Sequence, residues 1–400
     1  MKTMPRSVRW GVAGATLALA FLASSGGSAL RAQSPPDFSQ AHSFLGPDDH
    51  ARFEEGLEEF SAVETVADGV GPVFNDNSCG ACHTQGGIGG GSTILETRFG
   101  RITNGVFDPL AQFGGSLQQL KGIGDLGGGC NFFTESILGG ANVVARRRTQ
   151  PLFGLGLVDA TAESTFQQII NSQPAGQRGR MNRVTEIVSG RTIMGKFGWK
   201  AQVPTLFQFS ADAYLNEMGI TSPQFPNESC PNGDCSLMAR CNPVPELNDD
   251  GEDVELFRDF MIFLAAPPRG PINATVTAGE AVFNQIGCAT CHVATLTTSA
   301  SAAEPGLRNR TYHPYSDFLL HDMGNLGDNI GAMGIAGLRE MRTQPLWGLR
   351  VVTRFLHDGR ADTIPRAVEN HAGQATAARD RFNNLPAAQK TQILAFLNSL

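Results

Sequence analysis

Two short segments of the sequence combine thiols and an imidazole at the same spacing. They are Cys79-Gly80-Ala81-Cys82-His83 and Cys288-Ala289-Thr290-Cys291-His292, each a C-x-x-C-H motif. In this motif the two thiols add to the vinyl groups of a haem, and the adjacent histidine becomes an axial ligand of the iron. The pattern predicts two covalently attached c-type haems, with His83 and His292 as iron ligands.

Three other interpretations of the C-x-x-C-H pattern are weaker. A structural zinc ion needs four ligands, and the two motifs are more than 200 residues apart, so they would have to meet in space. A thioredoxin-like pair starts a helix after a strand, whereas Gly-rich loops follow both motifs here. A plain disulfide is the third alternative. Haem attachment is the favoured interpretation.

The similarity between the two halves extends beyond the motifs. Phe74-Asn75 precedes Cys79 by the same offset that separates Phe283-Asn284 from Cys288. An eight-residue segment is also nearly repeated, as Arg148-Thr149-Gln150-Pro151-Leu152-Phe153-Gly154-Leu155 and Arg342-Thr343-Gln344-Pro345-Leu346-Trp347-Gly348-Leu349. Repetition in step with the motifs indicates a duplicated haem module.

A second axial ligand for each iron is predicted from another repeated pattern. Asn216-Glu217-Met218-Gly219 falls in the first half and His321-Asp322-Met323-Gly324 in the second. A thioether ligand raises the potential of a haem, so Met218 and Met323 are the predicted sixth ligands. The alternative is that both methionines fill the core. The remaining histidines are at positions 42, 50, 313, 321, 357 and 371.

Several cations are candidates for binding haem propionates. His357-Asp358-Gly359-Arg360 is either a simple surface turn or a segment whose His357 or Arg360 contacts a propionate; direct binding of His357 to iron is a third option. Weaker candidates are Arg148, Arg342, Lys196 and Lys200.

Composition and charge limit the class of protein. With 41% hydrophobic and 17% charged residues, the chain is typical of soluble globular proteins, and its 47 glycines predict long irregular loops. The formal net charge is −7, and the first 32 residues contribute four basic side chains and no acid, so their removal gives −7 − 4 = −11. Such an acidic chain is not expected to bind nucleic acid.

The N-terminus has the pattern of a secretory signal. Basic residues precede an apolar run over residues 10–23, and small residues follow it. Residues 1–32 are therefore a predicted signal peptide, and the mature protein is expected in the periplasm, where c-type haems are attached. An uncleaved anchor is the alternative, and no later segment is predicted to cross a membrane.

Hydrophobic spacing predicts a mainly α fold with long irregular loops. Helices are expected at residues 48–66, 164–170, 254–264, 278–283 and 389–400. Two cytochrome c-like haem domains are predicted, over residues 33–267 and 268–400, with the boundary in the Pro-rich run after residue 266. Four cysteines outside the motifs, Cys130, Cys230, Cys235 and Cys241, allow two disulfides in one of three pairings.

The sequence resembles the bacterial di-haem oxidoreductases, a family of peroxidase-like proteins that are often labelled thiol oxidoreductase-like. The resemblance is carried by Gly71-Pro72-Val73-Phe74-Asn75, Ser78-Cys79, Gly195-Lys196-Phe197-Gly198-Trp199-Lys200-Ala201-Gln202, Met218-Gly219-Ile220-Thr221, His321-Asp322-Met323-Gly324 and His357-Asp358-Gly359-Arg360-Ala361. The C-terminal third also looks like the more distant di-haem cytochrome c peroxidases.

The resemblance implies two haems in adjacent domains, electron transfer between them, and reduction of peroxide. In those peroxidases the haem that cleaves peroxide lies in the N-terminal domain and depends on an acid and a movable histidine. Glu96 and Glu163 are the acids nearest to suitable loops, and neither belongs to a motif. A calcium ion between the domains is a further analogy, but no ligand loop here identifies one.

Three functions follow from these patterns. The first is an exported peroxidase that takes electrons from a small cytochrome or copper protein. The second is a pure electron-transfer cytochrome with both haems six-coordinate. The third, an enzyme oxidising a protein or polymer, needs an exposed aromatic relay, for which Trp199, Trp347 and three tyrosines are candidates.

Overall fold

A computed structural model describes residues 36–137, 140–331, 334 and 336–400, so the predicted signal peptide lies outside the described residues. This part of the chain contains eleven α-helices: α1 (Pro47–Ser61), α2 (Cys79–Cys82), α3 (Leu155–Asp159), α4 (Glu163–Ser172), α5 (Leu206–Ala213), α6 (Cys235–Cys241), α7 (Glu252–Phe263), α8 (Ala274–Gln285), α9 (Ile364–Glu369), α10 (Thr376–Asn383) and α11 (Ala387–Leu397). All five predicted helices are present, with ends shifted by a few residues.

Short antiparallel strands connect the helices. They are β1 (Val73–Phe74), β2 (Leu95–Thr103), β3 (Val106–Asp108), β4 (Leu117–Gln118), β5 (Lys121–Gly122), β6 (Gly124–Asp125), β7 (Asn131–Phe132), β8 (Val143–Arg148), β9 (Asn182–Thr185), β10 (Thr192–Gly195), β11 (Leu296–Thr297), β12 (Thr311–Tyr312), β13 (Leu320–Asp322) and β14 (Glu340–Arg342). β2 pairs with β3, β4 and β8, and the other strands form two-stranded pairs.

The prediction of a mainly α fold is therefore confirmed only in part. Helices and irregular loops are present as expected, but the Gly-rich region after the first motif forms a four-stranded sheet. The sheet places the first repeated segment. β8 runs opposite β2 from Val143 to Arg148, so the repeat begins where the ladder ends. β14 ends at Arg342 in the same way, opposite Leu320 of β13.

Two pairs of packed helices flank the motifs. α1 buries Phe53 and Phe60 against α7, where the rings of Phe60 and Phe260 lie 4.5 Å apart. Gly56 allows this approach, since a Cβ there would lie 2.4 Å from the carbonyl oxygen of Leu256.

α8 also packs on α11 through a close approach at a glycine. A Cβ on Gly279 would lie 1.9 Å from the carbonyl oxygen of Gln392, and the rings of Phe283 and Phe396 are 5.2 Å apart. Each motif thus follows a helix that is fixed against the last helix of its own half.

Two large hydrophobic cores and one cluster of three buried residues lie within the compact unit formed by residues 36–400. The larger core is built mostly from the first half of the chain, but it also includes Leu296, Leu307, Phe318 and Trp347. The smaller core contains only residues after position 275. The boundary at residues 267 and 268 stays a prediction. Among the described residues, no helix is long and apolar enough to cross a membrane.

The four cysteines outside the motifs form two disulfides, as predicted. Cys130 pairs with Cys241, and Cys230 pairs with Cys235. The first bond joins residues 111 apart in sequence, whereas the second joins residues only 5 apart.

Removing the long-range disulfide should destabilise the protein more than removing the local one. Loop-closure entropy predicts a loss of about 5 kcal/mol for the Cys130→Ala/Cys241→Ala variant and about 2 kcal/mol for Cys230→Ala/Cys235→Ala. Chemical denaturation under non-reducing conditions measures both values. Equal losses in the two variants would contradict the loop-length argument.

Candidate functional site

The first motif forms α2 and a turn that directs its histidine. The thiols of Cys79 and Cys82 are both free. His83 Nδ1 donates to the carbonyl oxygen of Gly90 at 2.8 Å, and burial lowers the pKa of His83 to about 4. Glycine at position 90 allows the loop to close tightly enough to bring this carbonyl to His83. Any Cβ on Gly90 would lie 2.0 Å from the Gln85 carbonyl oxygen.

The second motif has the same arrangement on a 3-10 turn. Cys288 and Cys291 are free thiols. His292 Nδ1 donates to the carbonyl oxygen of Tyr315 at 2.8 Å, and burial lowers the pKa of His292 to about 4. Histidines that bind metals usually donate the other ring N–H to a carbonyl or carboxylate, which leaves Nε2 for the metal. Both motif histidines are neutral and have this signature.

Each motif opens into its own cavity. The N-terminal cavity, of about 200 Å³, is lined by Cys79, Cys82, His83 and Met218. The C-terminal cavity, of about 240 Å³, is lined by the second motif. Its wall also contains several residues that the sequence analysis named as candidate ligands, propionate-binding groups or relay aromatics, and others that it did not name. The predicted candidates in its wall are Arg148, Arg342, Trp199, Trp347, His321, Met323 and His357.

The two cavities meet at the repeated segments. Arg148 and Trp199 line both cavities. Trp199 Nε1 donates to the carbonyl oxygen of Arg148 at 3.1 Å, and its own carbonyl accepts from the backbone N–H of Arg342 at 2.9 Å. Gln150 Nε2 donates to Gln344 Oε1 at 2.7 Å, so the equivalent glutamines of the two repeats touch.

Arg148 and Arg342 are buried cations that lack carboxylate partners within hydrogen-bonding distance in the described part of the chain. Arg148 Nε donates to the Leu356 carbonyl oxygen at 3.0 Å, but its buried Nη1 has no acceptor there. Arg342 donates to the Gly198 carbonyl oxygen and to Gln344. Burial lowers the pKa of Arg148 to about 10 and that of Arg342 to about 9. An anionic group in the cavities would satisfy both guanidinium groups.

The structure does not bring the predicted lysines to either cavity. Lys200 Nζ lies 3.0 Å from Asp328 Oδ1 and donates to two backbone carbonyls, and Lys196 Nζ donates to the Asp159 and Thr161 carbonyls. Arg360 is paired with Asp358 at 2.6 Å and does not line a described cavity. Lys196, Lys200 and Arg360 are therefore not placed to bind a group in the cavities.

Both predicted methionine ligands face a cavity. Met218 is buried and ends a π-helical turn, with its Sδ 3.9 Å from Cys79 Sγ. Met323 is half-buried in the wall of the C-terminal cavity. Neither position tests ligation, so both remain predictions.

His371 is a further candidate that sequence patterns did not single out. It lines the C-terminal cavity, and its Nδ1 donates to the Ala367 carbonyl oxygen at 2.8 Å. This is the hydrogen bond that both motif histidines make. His321, by contrast, uses Nε2 to bind Asp317 at 2.9 Å. The only sequence signal for His371 is its position four residues after Ala367 at the end of α9.

Acidic side chains distinguish the two cavities. Asp76, Glu96, Asp212 and Glu217 line the N-terminal cavity, whereas no Asp or Glu is among the described residues that line the C-terminal one. Burial raises the pKa of Asp212 to about 6, and burial together with the charge of Glu96 raises the pKa of Glu217 to about 7. These carboxyl groups can hold protons near neutral pH.

The two acids named from the sequence have different positions. Glu96 lines the N-terminal cavity and binds Arg98 through both oxygens, at 3.1 and 3.0 Å. Although burial opposes it, the charge of Arg98 and Arg147 holds the pKa of Glu96 below its usual value. Glu163 pairs with Arg183 and does not line either cavity. Glu96 therefore suits the role of a fixed charge better than that of a proton donor.

A buried ion cluster supports the wall between the cavities. Asp328 binds Lys200 at 3.0 Å and Arg147 at 2.7 Å, and its side chain is fully buried. Lys200 directly follows Trp199, and Arg147 directly precedes Arg148. The cluster therefore fixes the two residues that line both cavities.

Replacing Asp328 with Asn should destabilise the protein by about 3 kcal/mol or more, because two buried cations would lose their counterion. Asp362→Asn is the matched control, since it breaks an exposed pair with Arg366 and should change stability by less than about 1 kcal/mol. Chemical denaturation of both variants measures the difference. Equal effects would show that the cluster has no special role.

Several solved structures are similar to this chain at low sequence identity. Hydrazine synthase from Kuenenia stuttgartiensis is 12% identical over 100% of each chain, with a TM-score of 0.40. A MauG-like protein associated with microbial copper homeostasis is 13% identical over 93% of this chain and 94% of its own, with a TM-score of 0.41. The diheme peroxidase BthA from Burkholderia thailandensis is 16% identical over 52% of this chain and 66% of its own, with a TM-score of 0.32.

No protein with a curated function matches the sequence. Residues 130–400 match the model of one family, described as "Di-haem oxidoreductase, putative peroxidase". The match covers more than half of the chain and includes the second motif, both repeated segments and the wall shared by the cavities. The resemblance inferred from the sequence is thereby confirmed, and the chain belongs to the di-haem oxidoreductase family.

Proposed function

We propose that the protein is an exported di-haem peroxidase with one c-type haem in each cavity. The residues of the C-terminal cavity would hold the haem that receives electrons, and the residues of the N-terminal cavity would hold the haem at which peroxide is reduced. The observation that carries this assignment is the distribution of acids, which among the described residues line the N-terminal cavity and not the C-terminal one. Peroxide reduction needs protons as well as electrons, and the carboxyl groups of the N-terminal cavity could deliver them.

The residues present fit two haems. Each cavity has a pair of free thiols and a neutral histidine whose Nδ1 is already bonded. Arg148 and Arg342 supply the uncompensated positive charge that propionates require. When bound, the haem irons would supply the redox centres. Nothing in the described residues identifies a calcium site, so we propose none.

The stoichiometry of the reaction suits two centres. Hydrogen peroxide takes up two electrons and two protons and yields two molecules of water, and two irons can each hold one of those electrons. Asp212, with its raised pKa, is the proposed proton donor. Trp199 lies in the wall common to both cavities and is the proposed path for electrons. A small cytochrome or copper protein is the proposed donor.

The domain and location assignments follow the same reasoning. We assign one haem domain to residues 33–267, with the α1/α7 pair, and one to residues 268–400, with the α8/α11 pair. Each contains one motif and one fixed pair of helices, as a cytochrome c-like domain requires. Export to the periplasm, with residues 1–32 as the signal peptide, is proposed from the sequence.

The second candidate function is electron transfer alone, with both haems six-coordinate. The observation in its favour is Met218, which lies in the N-terminal cavity beside Cys79. A bound thioether there would block access of peroxide. The third function is less well supported, because Trp199 and Trp347 are both buried, with 7% and 6% of their surface exposed.

Asp212→Asn should lower kcat for peroxide reduction roughly 10²-fold or more, because the cavity loses its proton donor, while the haem spectra stay unchanged. The exposed Asp380→Asn is the control and should keep full activity. Stopped-flow kinetics with peroxide and a reduced small cytochrome measure both. Two low-spin haems that respond to neither peroxide nor cyanide would instead establish the electron-transfer function.

Variants of His371 and Met323 identify the sixth ligand of the C-terminal haem. We propose His371, because it alone among the candidates repeats the Nδ1 bond of the motif histidines. His371→Ala should convert the C-terminal haem from low-spin to high-spin, and His371→Met should restore a low-spin centre. If Met323→Ala produces the spin change and His371→Ala does not, Met323 is the ligand. Paramagnetic resonance of the oxidised protein distinguishes them.

A further inference from the structure

A third cavity, of about 500 Å³, adjoins the C-terminal haem cavity but is formed by other elements. Its wall combines the segment before α1, the chain that follows α7, the loop around β12, and Trp347. Trp347 also lines the C-terminal cavity, and among the described residues it alone is common to the two. The volume lies within the range of small-molecule binding sites.

Buried donors in this wall have no partner in the described part of the chain. His42 and Trp347 are each only 6% exposed, yet His42 Nε2 and Trp347 Nε1 make no hydrogen bond. Arg269 leaves its buried Nε free as well, although its other nitrogens bind Glu280, Tyr315 and Ser399. Buried groups of this kind are nearly always paired, so these three residues of the wall keep hydrogen-bonding capacity that the described part of the chain does not use.

The positive charge of the cavity comes from its arginine side chains, one of which, Arg269, is paired with Glu280. Arg269, Arg310, His42 and His313 line it, and no Asp or Glu is among its described lining residues. Arg310 has no carboxylate at salt-bridge distance in the described residues; its Nε donates to the Gly306 carbonyl oxygen at 2.9 Å. Burial and the charge of Arg310 lower the pKa of His42 to about 4.

The remaining wall is apolar. Phe44 stacks on His42 with ring centroids 4.7 Å apart, and the guanidinium of Arg310 lies 4.1 Å from the centre of the Phe44 ring. Pro267, Pro268 and Tyr312 complete the surface. Leu400 also borders it, and its carbonyl oxygen accepts from Arg350 at 3.1 Å. A ligand with an apolar body and an anionic end is complementary to this wall.

We propose that this cavity binds a small organic carboxylate, whose oxygens accept from Arg310, Arg269 and Trp347 and whose apolar part packs on Phe44, the prolines and Tyr312. The site is distinct from the haem cavities. Its occupant would contact Trp347, whose indole ring also borders the C-terminal cavity. Binding does not require the peroxide reaction, so the test below stands independently of the proposed function.

Calorimetric titration of the haem-containing protein with benzoate tests this site, with benzyl alcohol as the uncharged comparison. Benzoate should bind with one site per chain and at least roughly tenfold more tightly than benzyl alcohol. Arg310→Gln should weaken benzoate binding roughly tenfold or more. Arg308→Gln is the matched control, because Arg308 is exposed, lies outside the cavity and should leave the affinity unchanged.

A second variant covers the case in which Arg310→Gln disturbs its loop. Trp347→Phe keeps an aromatic ring in the wall and removes the indole N–H donor, so it should also weaken benzoate binding by several-fold while the melting temperature stays close to that of the parent. The proposal is overturned if benzoate does not bind, if benzyl alcohol binds equally well, or if both variants bind benzoate as the parent does.

Discussion

The burial of two unpaired guanidinium groups at the meeting point of the repeats is the constraint on which the site depends. Taking a charge out of water is expensive unless it is compensated. Arg148 and Arg342 begin the two repeated segments, and each is held by backbone carbonyls rather than by a carboxylate. The protein therefore keeps positive charge beside both motifs, and the propionates of the proposed haems would balance it.

The duplication sets the framework of the two cavities but not their chemistry. In each half a strand ends at the arginine, a Pro-Leu segment follows, and a glycine-bearing helix pair fixes the motif. The differences are in side chains. In the described part of the chain, acids line only the N-terminal cavity, and histidines in addition to the motif histidine line only the C-terminal one. Under the proposed function, this unequal proton supply would separate a catalytic centre from an electron store.

The sequence allowed the local features to be predicted, because they depend on short spacings. The motifs, the five helices and the repeats belong to this class. The partner of Cys130 is 111 residues away, and the sheet needs β2 to meet β8 across an intervening loop, so no local pattern reveals either. Met218 was predicted to face its motif because the pattern recurs. His371 was missed because its distinguishing feature is one hydrogen bond to Ala367, which only the fold displays.

The unpaired polar atoms are a feature of the fold that cannot be predicted from the sequence, and they indicate where ligands could bind. Native interiors leave few buried donors without acceptors, because each one lowers stability. Here Arg148 lines the haem cavities and has an unpaired Nη1, while His42, Arg269 and Trp347 line the third cavity and have unpaired Nε2, Nε and Nε1 atoms. These residues are scattered along the chain, so no single local pattern brings them together. Under the two proposals above, the missing acceptors would belong to bound molecules, a haem propionate in one place and a carboxylate in the other.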